Sequence, residues 1–176
     1  MILFIVVFLA SFILLLTLTT PEEIVDYVGV ENTYFVSFLL AVFGGLSTVT
    51  GVPFFTSVVA FASGGANPWL LGLFGGVGIF ISDLIFFFVA RYGAHIFRDT
   101  VKPVSLWLVS KMEKVSLKVV LIGVFIYIGF TPLPNDIIMI ALAFTGIPFK
   151  RIAPVLLAGS ITIVVLVAYL GEIIFS

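Results

Sequence analysis

Long uninterrupted apolar runs are the main pattern along this chain. Three of them, at 1–19, 69–90 and 152–171, are each about as long as the ~20 residues that a helix needs to cross a bilayer. Only Asp83 interrupts the middle run with a charge. Each run predicts a transmembrane helix, so the fold class we expect is an all-α integral membrane protein.

The run 1–19 has a competing interpretation, which is a cleavable signal peptide. Such a peptide carries a basic segment before its apolar core and a small-x-small cleavage site after it. Neither feature is present around this run. We therefore expect an extra N-terminal transmembrane helix.

Two further apolar regions, 34–66 and 119–148, are too short to cross the bilayer twice at ~20 residues per crossing. Their midpoints carry helix-breaking residues, Thr50-Gly51-Val52-Pro53 in the first and Thr131-Pro132-Leu133-Pro134-Asn135 in the second. Each region therefore predicts a re-entrant helical hairpin. Irregular backbone at membrane depth must be buried in protein or line a watery cavity.

The charges are separated along the chain. Acidic residues cluster at 22–31, whereas six of the eight Lys and Arg residues lie in the connection 91–118. The positive-inside rule places this basic connection in the cytoplasm and the acidic one outside. The second region must then return Lys150 and Arg151 to the cytoplasm, as a hairpin does and a single crossing does not.

A shift of 81 positions aligns the two halves of the chain. It superimposes the tip residues Thr50 and Pro53 on Thr131 and Pro134, and Gly78 on Gly159. Since the two hairpins enter from opposite sides, the repeats are inverted, an arrangement typical of transporters with a substrate site between broken helices. The alternative is a duplicated scaffold kept only for stability.

Composition restricts the chemistry. Hydrophobic residues make up 62% of the chain and there is no cysteine and one histidine, which excludes disulfides, thiol catalysis and the common Cys/His zinc sites. Nucleophile and phosphate-loop motifs are also absent from the sequence. We expect no enzymatic activity, no cofactor, no metal and no nucleic-acid partner.

Asp83 is the main candidate for a functional residue, because a charged side chain within a span is costly and must face protein or water. Arg91 lies eight residues later, about 12 Å along the helix, so it can pair with Asp83 only through an intermediary. The alternative for Arg91 is an anchor at the cytoplasmic interface. Asp83 is also the residue that we expect to take up a proton.

The hairpin tips supply the other candidates for a substrate or proton path. Asn135 and Asp136 are potential N-caps of the returning arm or ligand contacts. Thr50, Thr56 and Thr131 are suited either to bond freed backbone groups or to contact a ligand. Pro53 and Pro134, preceded by Pro132 in the second tip, are expected in the first turns of the returning arms, whose N-terminal N–H groups attract an anion.

The basic connection contains an apolar stripe at 104–115, including Trp107, Leu108 and Met112, which we expect on the face opposite Lys111. This pattern predicts a helix lying on the cytoplasmic interface near anionic lipid. Close glycines at 72–78 predict tight helix packing rather than a phosphate loop.

The stretch from Pro53 through Gly93, with Ser82-Asp83 and Ala90-Arg91-Tyr92-Gly93, resembles the DedA family, also called the VTT or SNARE-associated Golgi protein family. The second tip, from Phe130 to Asn135, is similar to that family's Phe-x-Pro segment, and the resemblance covers about Leu46 to Gly159. It implies opposed re-entrant hairpins, lipid transport and acidic residues linked to proton coupling. It matches Asp83 and Arg91 to the family's intramembrane acid and arginine.

The chain departs from the family at the second tip. Bacterial members usually carry arginine where this chain has Gly129 and Asn135, so a planar bidentate donor for polyprenyl phosphate is missing. An acidic residue common near the family's first tip is replaced by Phe55-Thr56. The helix N-termini remain as anion attractors.

These patterns predict a translocator of membrane lipids with anionic phosphate headgroups, a flippase or scramblase with protons as coupling ions. We expect a multi-pass protein of a prokaryotic cell (inner) membrane. Two alternatives are open: a proton-coupled carrier of a small solute or anion, and a scaffold that transports nothing. The sequence does not determine the oligomeric state.

Overall fold

The computed structural model describes residues 21–45, 48–93, 103–131 and 135–175, and within these residues the chain is entirely helical apart from turns. The predicted helix at 1–19 lies outside the described residues. The helices are α1 (Pro21–Val28), α2 (Val30–Gly44), α3 (Thr48–Ser63), α4 (Pro68–Tyr92), α5 (Pro103–Met112), α6 (Leu117–Phe130), α7 (Asn135–Phe144) and α8 (Phe149–Phe175).

The two long helices α4 and α8 form the centre of the molecule and are long and apolar enough to cross a membrane. They run antiparallel, since Gly72 lies against Val165, Gly76 against Ile161, and the Trp69 ring against the Tyr169 ring. A Cβ atom added at Gly76 would lie 2.6 Å from the Ile161 Cα atom. The prediction that the close glycines serve helix packing is therefore confirmed.

Residues next to the start of each long helix determine where that helix begins. The Asn67 side chain accepts hydrogen bonds from the N–H groups of Trp69 (2.9 Å) and Leu70 (3.3 Å), and Pro68 occupies the first turn. Gly65 and Gly146 end the preceding helices with positive φ angles of 92° and 71°, which favour glycine. The two glycines are 81 positions apart, as are the starts of α4 and α8.

The first helix pair, α2 and α3, lies along the N-terminal part of α4. The Asn67 N–H donates to the Tyr34 hydroxyl (3.0 Å), Gly78 lies against Ala41, and Gly45 lies against Ser82. Helix α2 therefore runs in the same direction as α4 and ends beside Ser82. Helix α3 returns along α8, where the Ser63 hydroxyl donates to the Gly171 carbonyl (3.2 Å).

The second helix pair, α6 and α7, lies at the other end of the long helices. Helix α6 packs on α8, with Ile128 and Gly129 against Gly159, and α7 packs on α4 and α5. The two halves of the chain show the same contact pattern. The first helix of each pair packs on the long helix that follows it, as α2 does on α4 and α6 on α8. The second helix packs on the long helix of the other half, as α3 does on α8 and α7 on α4.

Two apolar cores fill the two ends of the molecule. One joins α1 to α3 with the first half of α4 and the second half of α8, and the other joins α6 and α7 with the remaining halves. Phe54 and Val58 are among the buried side chains of the first core, and Phe87 and Met139 are among those of the second. The long helices therefore connect two separately packed regions.

Two sequence predictions about local structure are wrong. Helix α3 begins at Thr48, so Pro53 lies inside it and the first chain reversal occurs around Gly45 rather than at 50–53. Proline this close to a helix start removes only one intrahelical hydrogen bond, and the pair Gly44-Gly45 is the better terminator.

In α5, Lys111 lies beside Trp107, with Nζ 5.6 Å from the ring centroid, and not on the opposite face. Residues four apart share a helix face. Trp107 is exposed, and it is Leu108 and Met112 that pack against the second core.

Candidate functional site

Asp83 contacts the start of α7 across the interface between the two helices. The Asn135 amide Nδ2 lies 3.3 Å and 3.5 Å from the two carboxylate oxygens of Asp83. Asp83 is only 1% exposed, so this carboxylate is held in the interior by an amide donor at the long end of the hydrogen-bond range. A residue of α4 and a residue of the second tip, both singled out in the sequence, are thus brought together.

The first helix pair reaches the neighbouring residue of α4. A Cβ atom added at Gly45 would lie 2.7 Å from both the Cβ and Oγ atoms of Ser82. Ser82 is fully buried, and its hydroxyl has no hydrogen-bond partner among the described residues. The end of α2 and the start of α7 therefore contact α4 at the adjacent residues Ser82 and Asp83, and we call Ser82, Asp83 and Asn135 the polar junction.

Arg91 lies in the last turn of α4, and its guanidinium Nη1 donates to the Ile147 carbonyl oxygen (3.0 Å). The guanidinium carbon lies 5.5 Å from the centre of the Phe87 ring, a cation–π contact. Since Asn135 lies at Asp83 and Ile147 at Arg91, α7 runs alongside the last third of α4. Arg91 thus joins the end of α4 to the turn before α8.

Asp136 lies in the first turn of α7, where the helix dipole favours a negative charge. Its Oδ1 atom is buried and has no hydrogen-bond partner among the described residues. Thr131 ends α6, and its hydroxyl donates to the Tyr127 carbonyl oxygen within the same helix. Pro132 and Pro134 lie outside the described residues.

The residues predicted for the first tip do not reach the polar junction through the contacts that the structure describes. Pro53 is buried within α3, and the Thr56 hydroxyl donates to the Val52 carbonyl oxygen of the preceding turn (2.8 Å). Thr50 lies in the first turn of α3, and its side chain is outside the described part. The first pair contributes Gly45 instead, because its chain reversal occurs earlier than expected.

Sequence reasoning missed a second, apolar meeting point. The residues 81 positions from Asn135 and Asp83 are Phe54 and Val164. Both line Gly75, where an added Cβ atom would lie 3.1 Å from Phe54 Cζ and 3.2 Å from Val164 Cγ1. We call Phe54 and Val164 the apolar junction. The alignment of the two halves could have revealed this meeting point, because a shift of 81 positions pairs Asp83 with Val164.

The polar junction offers a buried carboxylate, an amide and a hydroxyl near the middle of the molecule. These groups are able to take up a proton or to hold a small ligand through oxygen and N–H groups. Among the described residues no group of three or more His, Cys, Asp or Glu side chains is placed to hold a metal ion.

Comparison of the chain with protein-family models, with curated proteins and with solved structures finds no match.

Proposed function

We propose that this chain is a multi-pass membrane protein that moves phosphate-headgroup lipids between the two leaflets of a bilayer. The observation that carries the proposal is that the end of α2 and the start of α7 contact the adjacent residues Ser82 and Asp83, inside a helix of bilayer length. Broken helices that converge on a buried acid are the arrangement by which transporters frame a substrate site.

Helix lengths support the membrane assignment. At 1.5 Å per residue, α4 and α8 are about 37 and 40 Å long, whereas α2, α3, α6 and α7 reach only about 15–24 Å, short of a ~30 Å hydrocarbon core. Helices of this shorter length enter the bilayer and return to the same side. We therefore assign α2–α3 and α6–α7 as re-entrant hairpins.

The burial pattern of α4 also supports the membrane assignment. Small residues such as Gly72, Gly76 and Ser82 are buried, whereas Leu73 and Phe74 are exposed. This is the reverse of a soluble helix and is typical of helices that pack through small residues and present large side chains to lipid.

The inverted repeat is supported by contacts and direction. Helix α2 follows α4 from the Asn67 end, and α6 packs on the first half of α8, whose start lies near Arg91. Because α4 and α8 are antiparallel, the two hairpins enter from opposite ends. Basic residues Lys150 and Arg151 share the Arg91 end, which we assign to the cytoplasm.

Lipid rather than a small solute is favoured by the outer face of α6. Val119, Ile122, Ile126 and Phe130 are exposed along this helix, which ends five residues before Asn135 of the polar junction. A headgroup at the junction therefore has its acyl chains next to a lipid-facing surface. The resemblance to the DedA family supports the same substrate class.

The test is a headgroup-flipping assay with the purified full chain in liposomes that contain headgroup-labelled phospholipid. With the protein present, dithionite added outside should quench label from both leaflets, because inner-leaflet lipid is brought out. Asp83→Asn should change the rate, whereas Glu113→Gln, which alters an exposed acid in the connection, should not.

Equal quenching in protein-free and protein-containing liposomes contradicts lipid movement. Accumulation of a small anion without any lipid movement favours a solute carrier in its place. If neither occurs and the polar junction resists chemical labelling, the chain is a scaffold.

A further inference from the structure

Helix α5 has two apolar sides with different surroundings. Leu108 and Met112 pack against the second core, and the Ser105 side chain is fully buried. Leu106 and Trp107 lie on the surface instead, where they are 53% and 57% exposed. The apolar stripe expected to anchor α5 in the membrane is therefore divided. One part is used by the core of the protein, and the other part lies at the surface.

Three lysines lie on the surface next to this exposed part. Lys111 holds its Nζ atom 5.6 Å from the centre of the Trp107 ring, as residues four apart on a helix can. Lys114 lies in the turn before α6 and Lys118 in the first turn of α6, and all three lysines are exposed. From the start of α5 to the end of α6 the only acid is Glu113, so the net charge is +2. We call Trp107 and the three lysines the basic rim.

The outer face of α6 continues from the basic rim toward the middle of the molecule. Val115 is exposed beside Lys114, and Val119 and Ile122 are exposed after Lys118. Apolar side chains with lysines and a tryptophan at one end match the profile of a bilayer. Acyl chains lie below the headgroups there, and Trp and Lys side chains favour the boundary between them.

We propose that the basic rim binds the headgroup of an anionic phospholipid whose acyl chains lie along the outer face of α6. Lysine ammonium groups attract a phosphate group as positive charges and as hydrogen-bond donors. A zwitterionic lipid brings no net negative charge to the rim, so the site distinguishes headgroups by charge. An acidic protein would match the lysines but not the exposed apolar face that continues from them.

Lipid binding at the basic rim is a separate event from lipid movement at the polar junction. Helix α6 is about 21 Å long, and the rim lies at its start, whereas Asn135 follows its other end. The rim is therefore a second lipid site of the chain. Only a role of the rim as the cytoplasmic entry for transported lipid rests on the proposed function.

The experiment measures the quenching of Trp107 fluorescence by brominated lipid. The chain has two tryptophans, so Trp69→Phe leaves Trp107 as the reporter. The purified full chain is placed in phosphatidylcholine nanodiscs that contain a minor fraction of brominated lipid, either phosphatidylglycerol or phosphatidylcholine. Quenching by the phosphatidylglycerol should be stronger by about twofold or more, and high salt should reduce the difference because it screens exposed charges.

Two double variants test the lysines. Lys111→Gln combined with Lys114→Gln should abolish the preference for phosphatidylglycerol. The matched control is Lys150→Gln combined with Arg151→Gln, because both residues are exposed at the same end of the molecule but lie outside the rim. This control removes the same amount of charge and should keep the preference.

Trp69 provides a control for the reporter. It is exposed at the opposite end of α4, beside the Tyr169 ring, and no lysine lies near it in the sequence. In the variant Trp107→Phe, fluorescence from Trp69 should be quenched equally by the two brominated lipids.

Equal quenching of Trp107 by the two lipids would overturn the site, as would a preference that survives the loss of Lys111 and Lys114. Absence of quenching by either lipid would also overturn it, because Trp107 would then face water or protein. A preference for phosphatidylglycerol without lipid movement overturns the proposed function alone. Lipid movement with equal quenching overturns the basic rim alone.

Discussion

The two meeting points between hairpin and long helix are built from different side chains. At the polar junction Asn135, the first residue of α7, contacts Asp83 of α4. At the apolar junction the equivalent residues are Phe54 of α3 and Val164 of α8, both fully or almost fully buried in one core. The apolar junction shows that a hairpin can dock on the opposite long helix without a buried carboxylate, although the buried Ser37 hydroxyl lies near the same Gly75.

The difference between the junctions indicates what Asp83 and Asn135 contribute. Replacing a buried polar pair by well-packed apolar side chains is often neutral or stabilising. The fold therefore does not require Asp83, whose burial carries a cost that the equivalent Val164 avoids. We infer that the polar junction serves function and the apolar junction serves stability.

The largest effect is expected when a carboxylate is placed in the apolar junction. Val164→Asp would bury a charge beside Phe54 without an amide donor such as Asn135, and should lower the free energy of unfolding by about 3–5 kcal/mol. The measurement is unfolding in mixed micelles titrated with SDS.

Val164→Thr is the control for this change, because it has nearly the same volume and its hydroxyl can bond a carbonyl of the preceding turn. It should cost about 1 kcal/mol. If Val164→Asp is as mild as Val164→Thr, the two junctions are not energetically different.

A smaller effect is expected from the two glycines that are 81 positions apart. A Cβ atom at Gly78 would lie 2.5 Å from Ala41 Cβ and 2.6 Å from the Phe38 carbonyl oxygen. One at Gly159 would lie 3.1 Å from the Ile128 side chain and 3.4 Å from the Gly129 backbone nitrogen. Gly78→Ala should therefore destabilise by about 2–3 kcal/mol and Gly159→Ala by less than about 1 kcal/mol.

The same unfolding assay measures both glycine variants. The comparison predicts that the first hairpin is the more tightly fitted one. Equal losses for the two variants would show that both hairpins fit their long helices equally closely.

Asp83→Asn should have little effect on stability, because it removes a buried charge while an amide can still contact Asn135. We expect its effect on the proposed transport: in sealed vesicles the dependence of lipid movement on a pH gradient should disappear. An unchanged response to the gradient would mean that Asp83 has no coupling role.

The smallest effect on the protein is expected from cysteines at exposed positions, which usually change stability by less than about 0.5 kcal/mol. Because the chain has no cysteine of its own, each introduced thiol is labelled without background. If α6 and α7 form the proposed re-entrant hairpin, cysteines at Lys118 and Lys150 should react from the same side of the membrane.

The flanking connections extend this topology test. A cysteine at Lys111 should react only from the cytoplasmic side and one at Glu23 only from outside. Labelling of the positions 118 and 150 from opposite sides would show a crossing and would contradict the inverted repeat.

The sequence by itself determined the helical class, the two long apolar helices at α4 and α8 and the packing role of the close glycines. These features depend on composition and on local backbone preferences, which are readable residue by residue. The helix cap at Asn67 and the positive φ angles of Gly65 and Gly146 are also local features, because each depends only on adjacent residues.

Only the tertiary structure decided where the first hairpin reverses and which residues meet at α4. Pro53 predicts a helix break in the sequence, but in the structure it lies inside α3. One lost intrahelical hydrogen bond costs less than losing the contacts of Gly45 with Ser82 and of Ala41 with Gly78. The contact between Asp83 and Asn135 joins residues 52 positions apart. Such contacts depend on how helices pack together, and no local preference of either residue specifies them.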